Sequence, residues 1–385
     1  MKKLHNVAKL KTDNRYIILD CLRYAPISRA ELSRATGLAK SSVTTITNEM
    51  ISQGILFEAG PAEKSNKAGR TRVLLEINGD FGFAAGINLH RKRISVSGTD
   101  ISGNNIFDFS ADTSDFSSTE EALGYIIKEL DAKIKEKGLD VSRLVGIGVS
   151  SPGPLDYEKG IILEPPNFPL FNNFAIAECL KKEYGCPVFL ENNAVSLALY
   201  EHYYVSRKEG STLFVTVADG IGGALLQNGK IYRGSHGAAG ELGHISVNPE
   251  GELCECGNRG CLEQYVTLSA LKNRFGFESY NEIADLFENG DSNAEKVIEF
   301  LVNTLSGALV GAVNLFDLDR IILYGEYNYK CEILTERIEK YINTHSVICK
   351  AHRVEVVPSG QDFGYASAAA AAVPALNNFF RYNTM

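Results

Sequence analysis

The chain has 385 residues, 44% apolar and 22% charged, the balance of an ordinary soluble globular protein long enough for two or three domains. No apolar run approaches the ~18 residues needed to cross a bilayer and the start lacks a signal-peptide core. With cysteines whose scatter fits reduced thiols and no disulfide framework, the chain is expected to be cytoplasmic. The net charge of −8 is unevenly spread: residues 1–78 carry thirteen Lys and Arg against seven Asp and Glu, net +6, which leaves −14 for residues 79–385. A basic head on an acidic body directs one end toward a polyanion.

In chain order, the pattern over 13–24 predicts an amphipathic helix capped by Asp13 and ended by Pro26. Ser28, with Glu31 three residues on, reads as a capping box opening a second helix over 29–35. Thr36-Gly37-Leu38 is a tight turn, and a third helix follows over about 40–53. Helix, Gly-containing turn, helix is the helix-turn-helix pattern, and Leu32, Ala35, Leu38, Val43, Ile46 and Met50 are spaced to close its core. The third helix presents Lys40, Ser41, Ser42, Thr44, Thr45 and Asn48, short polar groups able to reach phosphates and base edges in a major groove. The alternative is a protein-contact module, against which the basic balance weighs. Two strands, 55–59 and 71–77, around a polar loop make this a winged helix-turn-helix, with Lys64, Lys67, Arg70 and Arg72 in or beside the wing; otherwise that loop is only a solvated lysine-rich turn.

Beyond residue 80 strands are expected over 81–89, 93–98 and 105–111, then a helix over 119–137 and a buried strand over 144–150 that runs into Ser151-Pro152-Gly153-Pro154. A helix (175–184), a strand (187–190) and a helix (194–205) follow. A β-hairpin around Gly220-Ile221-Gly222-Gly223 opens a second lobe with helices near 268–274, 280–288, 293–316 and 331–343, and strands over 320–324 and 353–357. An Ala-rich helix over 364–373 finishes the chain, with the option of packing back on the first lobe. A strand meander with alternating strands and helices, given twice, is the two-lobed α/β architecture of sugar kinases and actins. The expected domains are a head over 1–78, a small lobe over about 79–200 and a large lobe over about 201–385.

The densest chemistry lies in Gly237-Ala-Ala-Gly-Glu241-Leu-Gly-His244 and Cys254-Glu-Cys256-Gly-Asn-Arg-Gly-Cys261-Leu-Glu263. His244, Cys254, Cys256 and Cys261 suit a closed tetrahedral Zn²⁺ site that clamps a Gly-rich loop and fixes Glu241 relative to Glu263. Buried or redox thiols are the alternative.

These two runs resemble the ROK family, which joins sugar kinases and sugar-responsive repressors, and the likeness covers nearly the whole chain, nearest to xylose-repressor-like and N-acetylglucosamine-repressor-like members. The resemblance implies that the same four residues hold zinc and that Glu241, Glu263 and His244 hold sugar hydroxyls. It also implies a repressor wing that returns through Gly-Arg-Pro, here Gly69-Arg70-Thr71. A kinase of the family carries Asp-x-Gly-Gly-Thr after its first strand and an aspartate base in Glu-Asn-Asp-Ala-Asn. Here the first reads Asn88-Leu89-His90-Arg91-Lys92, and the second reads Glu191-Asn192-Asn193-Ala194-Val195. An amide at Asn193 cannot take a proton, and losing a positioned base costs about 10²–10⁴ in rate, yet an amide still binds hydroxyls. The second Gly turn persists as Asp219-Gly220-Ile221-Gly222-Gly223, weak evidence for a nucleotide because a hairpin of that shape needs glycines anyway, and the adenosine element is reduced to Tyr324-Gly325-Glu326.

The sugar is therefore expected between the lobes, with Asn192, Asn193 and the backbone at Gly153 on one wall and Glu241, His244 and Glu263 on the other. Helix-cap asparagines and surface glutamates are the plain alternatives. The expected protein is a non-enzymatic repressor that releases double-stranded operator DNA when a sugar or sugar phosphate binds, built as a homodimer or dimer of dimers with structural zinc. Its rivals are an active sugar kinase with a DNA-binding head, and a regulator controlled by a partner protein.

Overall fold

The computed structural model of the chain describes residues 2–61, 72–361 and 366–382. The head comprises α1 (Lys2–Leu22), β1 (Ile27–Ser28), α2 (Arg29–Thr36), α3 (Lys40–Ser52), β2 (Leu56–Pro61) and β3 (Val73–Ile77). The capping box forms as read: the Glu31 amide donates to Ser28 Oγ and the Ser28 amide donates to the Glu31 carboxylate at 3.1 Å. Gly37 ends α2 at φ 71°, a left-handed conformation that glycine adopts without steric cost. One expectation fails. Asp13 does not cap α1, because the Lys-, Leu- and Ala-bearing stretch ahead of it has no Gly or Pro to stop a helix, which therefore starts at Lys2. Leu32, Val43, Ile46 and Met50 join Ile18, Leu19, Leu22, Leu56, Leu75 and Ile77 in the core, whereas Ala35 is exposed and Leu38 only half-buried. The wing residues Lys64, Lys67, Gly69, Arg70 and Thr71 lie outside the described residues.

The small lobe is a five-stranded sheet built from β4 (Phe83–Leu89), β5 (Arg93–Asp100), β6 (Asn105–Asp112), β7 (Leu144–Ser151) and, after the short pair β8 (Leu155–Asp156) and β9 (Ile161–Ile162), β10 (Val188–Asn192), in the order β10-β7-β4-β5-β6. It carries α4 (Thr119–Glu136), α5 (Ile176–Tyr184) and α6 (Asn193–Tyr200), and the predicted long helix after β10 ends in a π-helical turn over Glu201–Val205. The large lobe repeats the plan with β11 (Ser211–Val217), β12 (Ile221–Gln227), β13 (Lys230–Ile231), β14 (Arg320–Gly325) and β15 (Glu355–Pro358), ordered β13-β12-β11-β14-β15. Its helices are α7 (Glu263–Val266), α8 (Leu268–Phe275), α9 (Tyr280–Glu288), α10 (Ser292–Phe316) and α11 (Glu332–His345).

The last helix, α12 (Ala366–Tyr382), runs well past residue 373 and packs on the small-lobe sheet. Gly86 and Gly148 are register partners on β4 and β7. A Cβ on either would stand 2.1 Å from Ala368 O or 1.8 Å from Ala371 O, so the paired glycines cut the groove in which the alanine face of α12 lies. Contrary to the hydropathy reading, α10 is by length and composition apolar enough to cross a bilayer. Its apolar side chains, Val297, Ile298, Leu301, Leu305, Leu309 and Val313, are instead the buried centre of the large lobe.

Candidate functional site

On the head, Lys40, Ser41, Thr44, Thr45 and Asn48 are exposed along α3 and Ser42 is half-buried. Two of them are partly engaged at home: Thr44 Oγ1 donates to Lys40 O at 2.9 Å, and Asn48 Oδ1 accepts from Arg29 at 2.9 Å. Arg72 pairs with Glu31 at 2.9 Å, both side chains being partly exposed, so this ion pair is weak enough to yield to a phosphate. If the α3 face meets DNA, Lys40→Ala is expected to weaken duplex binding and lower the slope of log affinity against log salt by about 1; a titration at several salt concentrations checks it.

The zinc-ligand set comes together. The ligating atoms of His244, Cys254, Cys256 and Cys261 all lie within 4.8 Å of one another. Cys256 Sγ is 3.6 Å from Cys261 Sγ, and Cys254 Sγ is 3.7 Å from His244 Nδ1. Zn–S and Zn–N bonds of about 2.3 and 2.0 Å give a tetrahedron edges of roughly 3.5–3.8 Å, so donors and spacing fit a zinc ion. Cys254 and Cys261 are buried and Cys256 is exposed. Because Nδ1 faces the thiols, Nε2 is left for the cleft. Glu263 Oε1 sits 3.2 Å from Cys254 Sγ and 3.5 Å from His244 Nδ1, so the loop that brings the His/Cys cluster together also positions this carboxylate. Glu241 is placed by backbone contact: Gly240 (φ 106°) lies so close to β12 that a Cβ on it would stand 2.2 Å from Gly223 O.

Between the lobes lies a cavity of about 480 Å³ that brings together Gly153, Asn192, Asn193, Glu241, His244 and Glu263. Asn192 is indeed the cap of α6, its Oδ1 accepting from the Ala194 amide at 2.9 Å, which leaves its NH₂ for the cavity. Asn193 Nδ2 donates to Leu89 O at 3.1 Å while its Oδ1 is buried with no hydrogen-bond partner among the described residues. A buried acceptor left unpaired costs about 1–3 kcal/mol, which a ligand hydroxyl would recover. A carboxylate here would instead set an oxygen against the Leu89 carbonyl.

The same cavity runs to the β4–β5 turn, where a phosphate would need open backbone. His90, Arg91 and Lys92 fill that turn. Lys92 Nζ reaches across to Asp219 Oδ1 at 2.5 Å, and His90 Nδ1 lies 3.6 Å from Asp219 Oδ2. Glu326, on the far side, has its carboxyl pushed up to about 7 by burial and then by the nearby Asp219 charge. A carboxyl with a raised folded pKa keeps its proton longer than in the unfolded chain, so its contribution to stability falls as pH climbs from about 4.5 through 7. Glu326→Gln should therefore raise the melting temperature at pH 8 and leave it near unchanged at pH 5, with about 1 kcal/mol at stake after discounting for partial exposure.

Sequence reasoning passed over one pair. Glu191, 3% exposed, is held by Arg233 through two bonds of 3.0 and 2.5 Å. This ties the segment leading to Glu241 onto β10, just before Asn192. The charge of Glu191 in an otherwise apolar strand was the available signal, but its partner lies 42 residues away.

A sequence profile of the ROK family matches residues 91–373. The chain is 26% identical over 371 residues to a xylose repressor of Caldicellulosiruptor bescii, covering 91% of this chain and 92% of that protein. It is 29% identical over 384 residues to the DNA-binding transcriptional dual regulator NagC of Escherichia coli, covering 95% and 93%. Among solved structures, a ROK family transcriptional regulator described as a homologue of the E. coli Mlc protein superposes with a TM-score of 0.79 at 26% identity, over 97% of this chain and 98% of that one. A ROK hexokinase from Thermus thermophilus superposes with a TM-score of 0.62 at 29% identity, over 76% of this chain and 97% of its own.

Proposed function

The chain belongs to the ROK family, and from that premise we propose that it is a cytoplasmic, sugar-responsive transcriptional repressor of carbohydrate-use genes that binds a sugar or sugar phosphate without phosphorylating it. The observation that carries this reading is Asn193. Its amide is anchored on Leu89 O and offers the cavity an acceptor unpartnered among the described residues, and an amide, not a carboxylate, occupies this position. The Lys92–Asp219 bridge across the phosphate turn supports the same reading. The head supports the DNA half of it, as do relatives named as a xylose repressor and as a DNA-binding transcriptional dual regulator, matched along almost their full length.

In this function Asn192 NH₂ and Asn193 Oδ1 give a donor and an acceptor on one wall, and Glu241 and Glu263 accept hydroxyl protons on the other. His244, Cys254, Cys256 and Cys261 would hold zinc, which when bound polarises the imidazole and fixes its tautomer. His244 Nε2–H is then a dependable donor to the sugar. Closure of the lobes on the ligand changes the placement of two heads in a homodimer or dimer of dimers, which must meet half-sites about 34 Å or a multiple apart.

The test pairs a thermal-shift screen with DNA binding. Some pentose, hexose, N-acetylhexosamine or a phosphate of one should raise the melting temperature and weaken binding to a duplex selected from a random pool. A chain that no sugar stabilises, or whose DNA affinity no stabilising sugar alters, is not this repressor. With Mg-ATP and the stabilising sugar, no phosphorylated product is expected. Asn193→Asp alone is expected to stay inactive too, because Arg91 and Lys92 still fill the phosphate turn; turnover at about 1–100 s⁻¹ in either protein would establish a kinase.

A further inference from the structure

The head and the cleft are joined by one continuous helix. α6 begins at Asn193, inside the cavity, and runs without a break into the π-helical turn Glu201–Val205. At about 1.5 Å per residue, the thirteen residues from 193 to 205 span roughly 18 Å. The last turn closes through an i→i+5 bond, Ser206 N donating to Glu201 O at 2.8 Å. Such a turn holds one residue more than an α-helical one, and single π-turns inside helices are frequent at functional sites.

Three bodies meet at this turn. Glu201, 2% exposed, accepts from Ser206 Oγ at 2.8 Å, from Ser359 Oγ at 2.5 Å and from Gln361 Nε2 at 2.9 Å, which pins it to the large lobe just after β15. Toward the head, Tyr203 OH lies 3.3 Å from Tyr16 OH, and the Arg23 guanidinium stacks 4.6 Å over the Tyr203 ring and 4.0 Å over Phe380 of α12. Two residues past the turn, Arg207 grips Asp20 through its carboxylate at 2.5 Å and its carbonyl at 2.9 Å. Tyr16 and Asp20 on α1 and Arg23, the first residue after it, follow the i, i+4, i+7 spacing, so one face of α1 and its end meets the turn and its flank. This joint is imperfectly satisfied: Asp20 Oδ1, Arg23 Nε and Tyr204 OH are buried without a partner among the described residues. Partly satisfied buried polar groups lower the cost of a second arrangement in which they are paired.

We propose that α6 and its π-turn are the coupling element through which occupancy of the cleft reaches the DNA-reading head, with Tyr203 against Tyr16 and Arg23, and Arg207 against Asp20, as the joint. The inference rests on the sugar-responsive reading above. Ligand hydroxyls on Asn192 and Asn193 load the first turn of α6. Lobe closure loads the other end through Glu201. A one-residue shift between π and α winding turns the residues beyond it by about 100° and moves them about 1.5 Å, enough to re-seat α1 and everything it carries. Tyr203 and Arg207 are positioning residues in this scheme, since neither touches sugar or DNA.

The experiment uses the full chain, a sugar that raises its melting temperature, and a duplex selected from a random pool. Adding the sugar should alter amide hydrogen exchange in 201–206 and in 14–23, and should weaken duplex binding about fivefold or more. Tyr203→Phe and Arg207→Gln should keep both the sugar-induced thermal shift and the sugar-free duplex affinity while the affinity ratio falls toward one. An unchanged ratio in both variants overturns the proposal, as does a stabilising sugar that leaves exchange in 201–206 untouched. Loss of sugar-free duplex affinity in both variants overturns it too, by giving the joint a purely structural role. If no sugar stabilises the chain, the parent reading fails first and this one with it.

Discussion

Cys256→Ser is expected to cost the protein its metal, its stability and its sugar response together. Zinc per chain should drop from about one to near zero, as read by metal analysis after dialysis, because three remaining ligands no longer close the tetrahedron. Structural zinc contributes about 10–16 kcal/mol in small zinc-folded peptides, so losing even a fraction of that frees the loop from His244 to Cys261. Cys256 is the exposed member of the set, so the substitution opens no cavity, and any effect reports on the metal. Sugar affinity should fall because His244 loses its fixed tautomer and Glu263, which lies against Cys254 and His244, loses its backing. A variant without metal that still answers sugar normally would mean the loop holds its shape by packing alone.

The second large effect is expected from Arg233→Ala. Glu191 has a side chain only 4% exposed, and without Arg233 its remaining partner is the Asn192 amide at 3.0 Å. Removing one half of such a pair strands a buried charge, at about 3 kcal/mol of stability. Glu191→Gln in the same background should recover most of that loss in urea unfolding, since a neutral amide is far cheaper to bury. Failure of the rescue would show that Arg233 acts mainly through its stacking on Tyr157, 5.5 Å from that ring. Sugar affinity should drop in the single variant as well, because Arg233 tethers the segment that leads to Glu241.

The parts of this molecule legible in advance were those written locally. The capping box at Ser28 and Glu31, the Gly37 turn and the Cys-x-Cys-x₄-Cys run each specify their geometry within a few residues. Backbone hydrogen bonds and densely spaced thiols of this kind need no distant partner to be recognised. The alternation of strands and helices gave the two lobes for the same reason. Asp13 was misjudged because capping propensity is a weak local preference that an uninterrupted helix overrides.

What only the tertiary structure decided depends on residues far apart in the chain. The resting place of α12 is set by Gly86 and Gly148, more than two hundred residues before it, which the sequence shows only as two glycines in strands. The grip of Arg233 on Glu191, the Lys92–Asp219 bridge and the meeting of the π-turn with α1 are equally long-range. Composition and motif thus determined that this chain has a basic head with a helix-turn-helix pattern, a dense His/Cys loop and a two-lobed body with an asparagine at position 193. Packing decided how those parts touch, because side chains distant in sequence acquire a fixed distance only once the core has closed around them.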